Sequence, residues 1–305
     1  MLEIGIMIEG QDGLNWPRWQ ALARVVEGCG FAALHRSDHF TNSGPPDKDA
    51  LELWVSLTWL ASHTQRLQFG PLVSPVSFRD PIFTARMAKD VDDLSGGRLV
   101  LGVGAGWQER EHANFGYDLL DLTGRFNRFE EGLEVITRLL RSDEPVSFDG
   151  AFFRLHEAIL LPRPGRAGGP PILIGGNGMR RTLPLVARFA DEWNGVYLTA
   201  HRYAELSARL DEHLHEYNRR PADVRRSLMT GVVFGRDQAE LQRVLDGRDA
   251  DDLRTRGLVA GAPAEIVDQL GRLAQAGVQR VMLQWLDMDG LDRLEALAQT
   301  VLRQL

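Results

Sequence analysis

The stretch Leu94-Ser95-Gly96-Gly97-Arg98-Leu99-Val100-Leu101-Gly102-Val103-Gly104-Ala105-Gly106-Trp107 decides how the rest of the chain is read. A short apolar run, 99–103, opens after a Gly-Gly turn and closes in alternating glycines. A run of that length between turn residues reads as a buried strand. The loop after it carries almost no side chains, so a flat ligand or an anion can come close to its backbone. Alone, such a loop is weak evidence of function. Its weight comes from recurrence of one plan along the chain: strand, loop of glycines or polar groups, amphipathic helix.

Working outward, residues 4–9 read as a first strand. Residues 16–29 read as a helix with Trp19, Leu22, Val25 and Val26 at helical spacing. Strands follow at 31–36, 67–73 and 99–103, with helices at 51–62 and 81–94. A longer loop at 106–124 interrupts the rhythm before a helix at 125–140. The alternating segment 146–155, centred on Phe148-Asp149-Gly150-Ala151-Phe152, reads as a hairpin. Strands at 171–174, 192–197, 227–234 and 278–285 then alternate with helices at 180–189, 203–217, 263–276 and 291–305. The charged stretch 235–257 is expected to hold helices and mobile loop, and 163–170 a loop inside the domain. Eight strands alternating with eight helices predict a (β/α)8 TIM barrel with insertions, one domain over 1–305. A doubly wound sheet is the alternative. It would open with GxGxxG after the first strand, and Glu9-Gly10-Gln11-Asp12-Gly13 fits that poorly.

Composition narrows the function. The chain has 305 residues, 44% of them hydrophobic, and a formal net charge of -7, so it lacks the basic balance that attracts nucleic acid. Lys48 and Lys89 are the only lysines, a bias we read as genomic. The single cysteine, Cys29, excludes an internal disulfide and reads as a packed thiol rather than a nucleophile. No apolar run is long enough to span a bilayer, and the first residues do not read as a signal peptide, so a cytoplasmic protein without membrane contact is expected.

In a barrel of this kind, chemistry gathers where strands end. The polar residues that fall there are Glu9, Asp38, His39, Ser74 (between Pro71 and Pro75), the run Gly104-Ala105-Gly106-Trp107, and Gly175-Gly176-Asn177-Gly178. The last run precedes a helix and is followed by Arg180 and Arg181. Exposed main-chain N–H groups there would form a phosphate site, and the plain alternative is a flexible turn. His39 can hydrogen-bond a flat cofactor or move a proton; otherwise it ties down its loop. His112 either lines the pocket or sits in solvent, and His213 and His215, two apart on a helix, read as surface residues. Trp16 and Trp107 are candidates to wall a flat ligand, while Trp54, Trp59 and Trp285 fall at core positions. No metal-ligand spacing and no Gly-x-Ser-x-Gly elbow sits at the strand ends.

Several motifs resemble the bacterial luciferase-like flavin and deazaflavin oxidoreductases. They are Ser37-Asp38-His39-Phe40, Arg79-Asp80-Pro81, Leu94 to Arg98, Gly102 to Trp107, Glu111-His112-Ala113-Asn114-Phe115-Gly116, Pro171 to Gly178 and Ala187 to Asn194. The resemblance covers about 1–194 and, more loosely, 263–305. It implies a (β/α)8 barrel with FMN or the deazaflavin F420 across its mouth, and the F420-dependent branch in particular. On that reading His39 and Glu9 are the catalytic candidates. Asp38, His39, Pro71, Leu72, Ser74, Gly104, Ala105, Gly106, Trp107, Gly175, Gly176, Asn177, Gly178 and Met179 would bind the cofactor. The resemblance also implies a non-prolyl cis peptide at the end of the third strand, at Pro71–Leu72 when aligned on Pro75. Trp107 stands where F420-dependent sugar-phosphate dehydrogenases carry a glutamate, which argues against sugar-phosphate oxidation. The resulting expectation is hydride transfer between F420 and a small organic substrate. An FMN-dependent monooxygenase served by a separate reductase is the second reading, and a barrel that has lost catalysis the third. Family resemblance further implies a homodimer.

Overall fold

The computed structural model describes residues 2–304. The chain begins β1 (Glu3–Ile8), α1 (Trp16–Gly28), β2 (Ala33–Arg36), α2 (Leu53–His63), β3 (Gln68–Pro71), β4 (Ser74–Pro75), α3 (Pro81–Leu94) and β5 (Leu101–Gly104). Then come α4 (Glu109–Phe115), α5 (Leu122–Arg141), β6 (Val146–Asp149), β7 (Arg154–Ala158), β8 (Ile172–Gly175), α6 (Thr182–Phe189), β9 (Glu192–Val196) and α7 (Ala200–Glu216). It finishes with β10 (Arg225–Phe234), α8 (Gln238–Leu245), α9 (Ala250–Thr255), β11 (Val259–Gly261), α10 (Pro263–Gln275), β12 (Arg280–Gln284) and α11 (Leu291–Val301).

The main sheet runs β3-β2-β1-β12-β10-β9-β8-β5-β4. β1 pairs in parallel with β12, so the first strand lies beside the last. A parallel bridge from Phe69 to Leu99 joins β3 to the chain entering β5. The order is therefore cyclic, eight parallel positions with helices between them, which is the (β/α)8 barrel. Its strands are apolar nearly throughout, as parallel strands covered on both faces must be: Ile6, Ile8, Leu34, Leu101, Val103, Ile172, Ile174, Val281 and Leu283 are all buried.

Two compact units can be distinguished. One comprises the chain up to Glu9, Trp16–His35 and Gly175 onward; the other comprises Gly10–Asn15 and Arg36–Ile174. In the first, a charged layer occupies the N-terminal ends of β1, β12, β10 and β9. Glu3 and Arg280 are register partners, and the Glu3 carboxylate accepts from Arg280 Nη2 at 2.6 Å and Arg225 Nη2 at 2.8 Å. Burial alone would raise the Glu3 pKa, but these two guanidiniums hold it below its ordinary value. Glu192 at the same level is pushed up by burial despite Arg280.

In the second unit, the opening stretch of sequence has a structural task. Gly96 and Gly97 both take positive φ, which turns the chain and aims Arg98 back at α2. Arg98 donates to the carbonyls of Ala61, Thr64 and Leu67 and to Thr64 Oγ1, satisfying acceptors at and beyond the C-terminal end of α2. The glycines of β5 serve close approach: a Cβ at Gly104 would stand 2.6 Å from Val73.

Several boundaries differ from expectation. The anticipated third strand breaks in two, and the non-prolyl cis bond lies at Leu72–Val73, one residue beyond the Pro71–Leu72 position implied by the alignment. The 106–124 loop contains α4. The 235–257 stretch holds α8 and α9, whose N-caps Asp237 and Asp249 accept main-chain N–H bonds. After it, β11 pairs in parallel with β10, too short to show any periodicity. The helix expected over 180–189 starts at Thr182, and the closing helix ends at Val301 and runs on as a 3-10 turn; Leu305 lies outside the described residues. The β6–β7 hairpin forms as expected.

Candidate active site

Within the second unit, the loop after β2 carries the first candidates. Arg36, at the end of the strand, is fully buried and donates to Ser56 Oγ and the Leu51 carbonyl, both at 2.8 Å; burial lowers its pKa to about 10. Next to it, the Asp38 carboxylate accepts from Ser74 Oγ at 2.9 Å and from Arg79 Nε and Nη2 at 2.9 and 2.7 Å. Arg79 also pairs with Glu52. Burial would lower the Arg79 pKa, but Asp38 and Glu52 together hold it above its ordinary value. Asp38 and Ser74 are thus committed to anchoring the loop through a bidentate arginine.

His39 is positioned from α4. Its Nδ1 lies 2.9 Å from Glu111 Oε1, and Glu111 Oε2 accepts the Phe40 N–H at 3.0 Å. An ionised carboxylate can only accept, so Nδ1 carries the proton and the imidazole is fixed in tautomer and orientation. Glu111 is 1% exposed. The rest of α4 fastens the same loop: Gln108 Nε2 donates to the Thr41 carbonyl at 3.0 Å, and Arg110 reaches Asn42 and Asp47. Trp107 meets the His39 ring edge-on, centroids 5.6 Å apart, while remaining largely exposed. His112 is buried with Nδ1 on the Gln108 carbonyl at 2.7 Å; its Nε2 has no partner among the described residues.

The glycine loop after β5 has a cationic floor. Gly106 takes φ +83°, and its carbonyl accepts a long 3.3 Å bond from Arg125 Nη1. Arg125 and Arg128, one turn apart on α5, each keep a buried Nε without a partner among the described residues. Burial lowers the Arg128 pKa. A buried donor left unmade costs free energy, so Arg125, already on the Gly106 carbonyl, fits an anionic group arriving there, as the phosphorylated tail of F420 or FMN would supply.

In the other unit, Gly175-Gly176-Asn177-Gly178 forms a turn rather than the direct lead into a helix. The Gly176 N–H is spent on the Asn194 carbonyl at 2.9 Å, and Gly176 sits at φ +122°, where only glycine is at ease. Asn177 bonds both ways to the Val196 backbone. The N–H groups of exposed Gly178, Met179 and Arg180 have no protein partner among the described residues, so the anion-binding capacity lies there. In this unit too, Gln284 Nε2 donates to Glu9 Oε1 at 2.6 Å.

Four outcomes escaped or contradicted sequence reading. Glu111 was not expected to partner His39, and Arg125 and Arg128 were not singled out. His213 is buried and paired with Glu216 instead of lying on the surface. Among the described residues no group of three or more His, Cys, Asp or Glu is arranged to hold a metal ion, and no helix is long and apolar enough to cross a membrane.

Comparison with known proteins sets these features in context. The family model for luciferase-like monooxygenases matches residues 5–251. Over 166 residues the chain is 35% identical to a 4-hydroxyprotoasukamycin monooxygenase of Streptomyces nodosus subsp. asukaensis, covering 54% of this chain and 43% of that protein. It is 26% identical to an F420-dependent glucose-6-phosphate dehydrogenase of Intrasporangium calvum, covering 85% of both. The solved structure of an F420-dependent secondary alcohol dehydrogenase in complex with an F420-acetone adduct superimposes with a TM-score of 0.85 at 17% identity, covering 100% of this chain and 99% of that one, which supports the barrel fold. The chain belongs to the luciferase-like monooxygenase family and is an oxidoreductase of that class.

Proposed function

We propose that the chain is an F420-dependent oxidoreductase acting on a small organic substrate. The observation that carries this reading is the Glu111–His39 pair together with a glycine loop whose contacting arginine, Arg125, has an unused buried donor. F420, when bound, supplies a hydride donor or acceptor at C5 of its deazaflavin ring. The protein's residues do the rest. His39, oriented by Glu111, holds or moves the proton that accompanies the hydride. Arg125 with the Gly104–Gly106 backbone would take the anionic tail. Pro71, Leu72 and Ser74, beside the glycines of β5, would back the ring, with Asp38 and Arg79 bracing that loop. The family resemblance extends the reading to a cytoplasmic homodimer.

The relative named as a monooxygenase favours a second reading, an FMN-dependent monooxygenase with a separate reductase. Titrating the purified protein with F420 and FMN separates the two. Micromolar F420 affinity with FMN at least about tenfold weaker is the expected result. Tight FMN binding without F420 binding would replace the first reading by the second.

A further inference from the structure

Glu9 follows β1, Tyr197 follows β9 and Gln284 ends β12, so all three stand at the C-terminal ends of their strands, the rim where barrels of this class collect chemistry. They form one directed chain. The Glu9 carboxylate only accepts, so the Gln284 amide must turn its NH2 toward it, as the 2.6 Å contact requires. Gln284 Oε1 is then left to accept the Tyr197 hydroxyl, which donates to it. The phenol proton is committed inward, and the Tyr197 oxygen can only accept from anything that approaches it. Burial, then the charge of Glu9, raises the Tyr197 pKa, so the proton stays in place at neutral pH.

Tyr197 is also held in an uncommon conformation. Its φ is +50°, rare for a bulky residue. Its N–H donates to the Met229 carbonyl at 3.0 Å, and Gly257 packs so closely that a Cβ there would lie 2.7 Å from the Tyr197 carbonyl. The residue nonetheless remains 39% exposed. The chain is thus an acceptor-ended, negatively charged surface at the active rim.

We infer that Glu9, Gln284 and Tyr197 form a substrate subsite that binds a hydrogen-bond donor, a hydroxyl or ammonium group, and turns away phosphorylated substrates. Tyr197 accepts the donor's hydrogen, and Glu9 favours a positive charge behind it. A phosphate is mostly doubly ionised at neutral pH, so it offers chiefly acceptors and meets the carboxylate's field. Calling the ligand a substrate rests on the oxidoreductase reading; the binding chemistry does not depend on the cofactor.

The test uses the cofactor-free protein and saturation-transfer NMR, with cyclohexanol and cyclohexylammonium as donor probes and methyl phosphate as competitor. Tyr197→Phe should weaken both donor probes by about fivefold or more, the loss of one hydrogen bond. Glu9→Gln, which keeps an acceptor but removes the charge, should weaken the ammonium probe by about fivefold and the alcohol by less than about twofold. Methyl phosphate, which carries the phosphate without any hydroxyl, should displace neither. Unchanged affinities in Tyr197→Phe, no binding of either probe to the wild type, or displacement by methyl phosphate would overturn the proposal. F420 titration of the same variants separates the two readings, since loss of F420 binding in the wild type removes the cofactor assignment and leaves these affinities as they stand.

Discussion

At the scale of single residues, the arrangement around His39 resolves an ambiguity between two carboxylates. Asp38 is adjacent in sequence, yet its charge is absorbed by Arg79 and Ser74. The carboxylate that acts on the imidazole is Glu111, brought from 72 positions away. His39→Ala is therefore expected to lower turnover at least about tenfold with an unchanged thermal midpoint; equal turnover would remove its role. Glu111→Gln keeps the shape but loses the charge that fixes the Nδ1 proton. It should cut kcat by about 10–100-fold while leaving cofactor affinity within about twofold, as read from steady-state kinetics and fluorescence titration. A matching loss of cofactor affinity would mean Glu111 shapes the binding site as a whole.

At the scale of elements, the helices that close the barrel announce themselves and α4 does not. The buried residues of α4 are Glu111 and His112, with its N-cap Gln108 buried beside them, all polar, so a search for apolar periodicity passes over it. The same reason hides Arg125 and Arg128, whose meaning lies in which donors remain unmade. Apolar strands and capped helices were legible because they obey local rules; the helix expected over 81–94 forms at Pro81–Leu94, where its proline and the Asp80 cap open it. The glycine runs and Ser37-Asp38-His39 were legible as strand ends, whereas their partners come from tertiary contact. Arg98 shows how a loop motif serves stability. Arg98→Ala should lower unfolding free energy by about 3 kcal/mol in urea denaturation, because several carbonyls beyond α2 lose their donor. On α8, a hydrogen bond from Arg236, with its charge, lowers the Glu240 pKa from 4.5 to about 2. A folded pKa below the unfolded one gives stability that is present above the unfolded value and lost as pH falls from 4.5 toward about 2. The stability gap between wild type and Glu240→Gln should thus be full at pH 6 and shrink by pH 3; a gap independent of pH would refute the assignment.

At the scale of the whole molecule, a cyclic run of parallel strands puts loops of different sequence at the strand ends. One unit carries His39, Glu111 and the glycine loop, and the other carries the amide turn at Gly178 and the Glu9–Gln284–Tyr197 chain. Charge at the opposite strand ends serves the scaffold, with Glu3 tying β1 to β12 and β10 through Arg280 and Arg225. This division matches the general rule that such barrels keep stability at one end and chemistry at the other. In the proposed enzyme His39, set by Glu111, faces the reactive ring of bound F420. The most direct measurement is a crystal structure of the protein soaked with F420. The deazaflavin is expected within hydrogen-bonding reach of the His39 imidazole, about 3 Å, with its anionic tail on Arg125. A ring bound elsewhere, with His39 still in place against Glu111 and touching nothing of it, would contradict it.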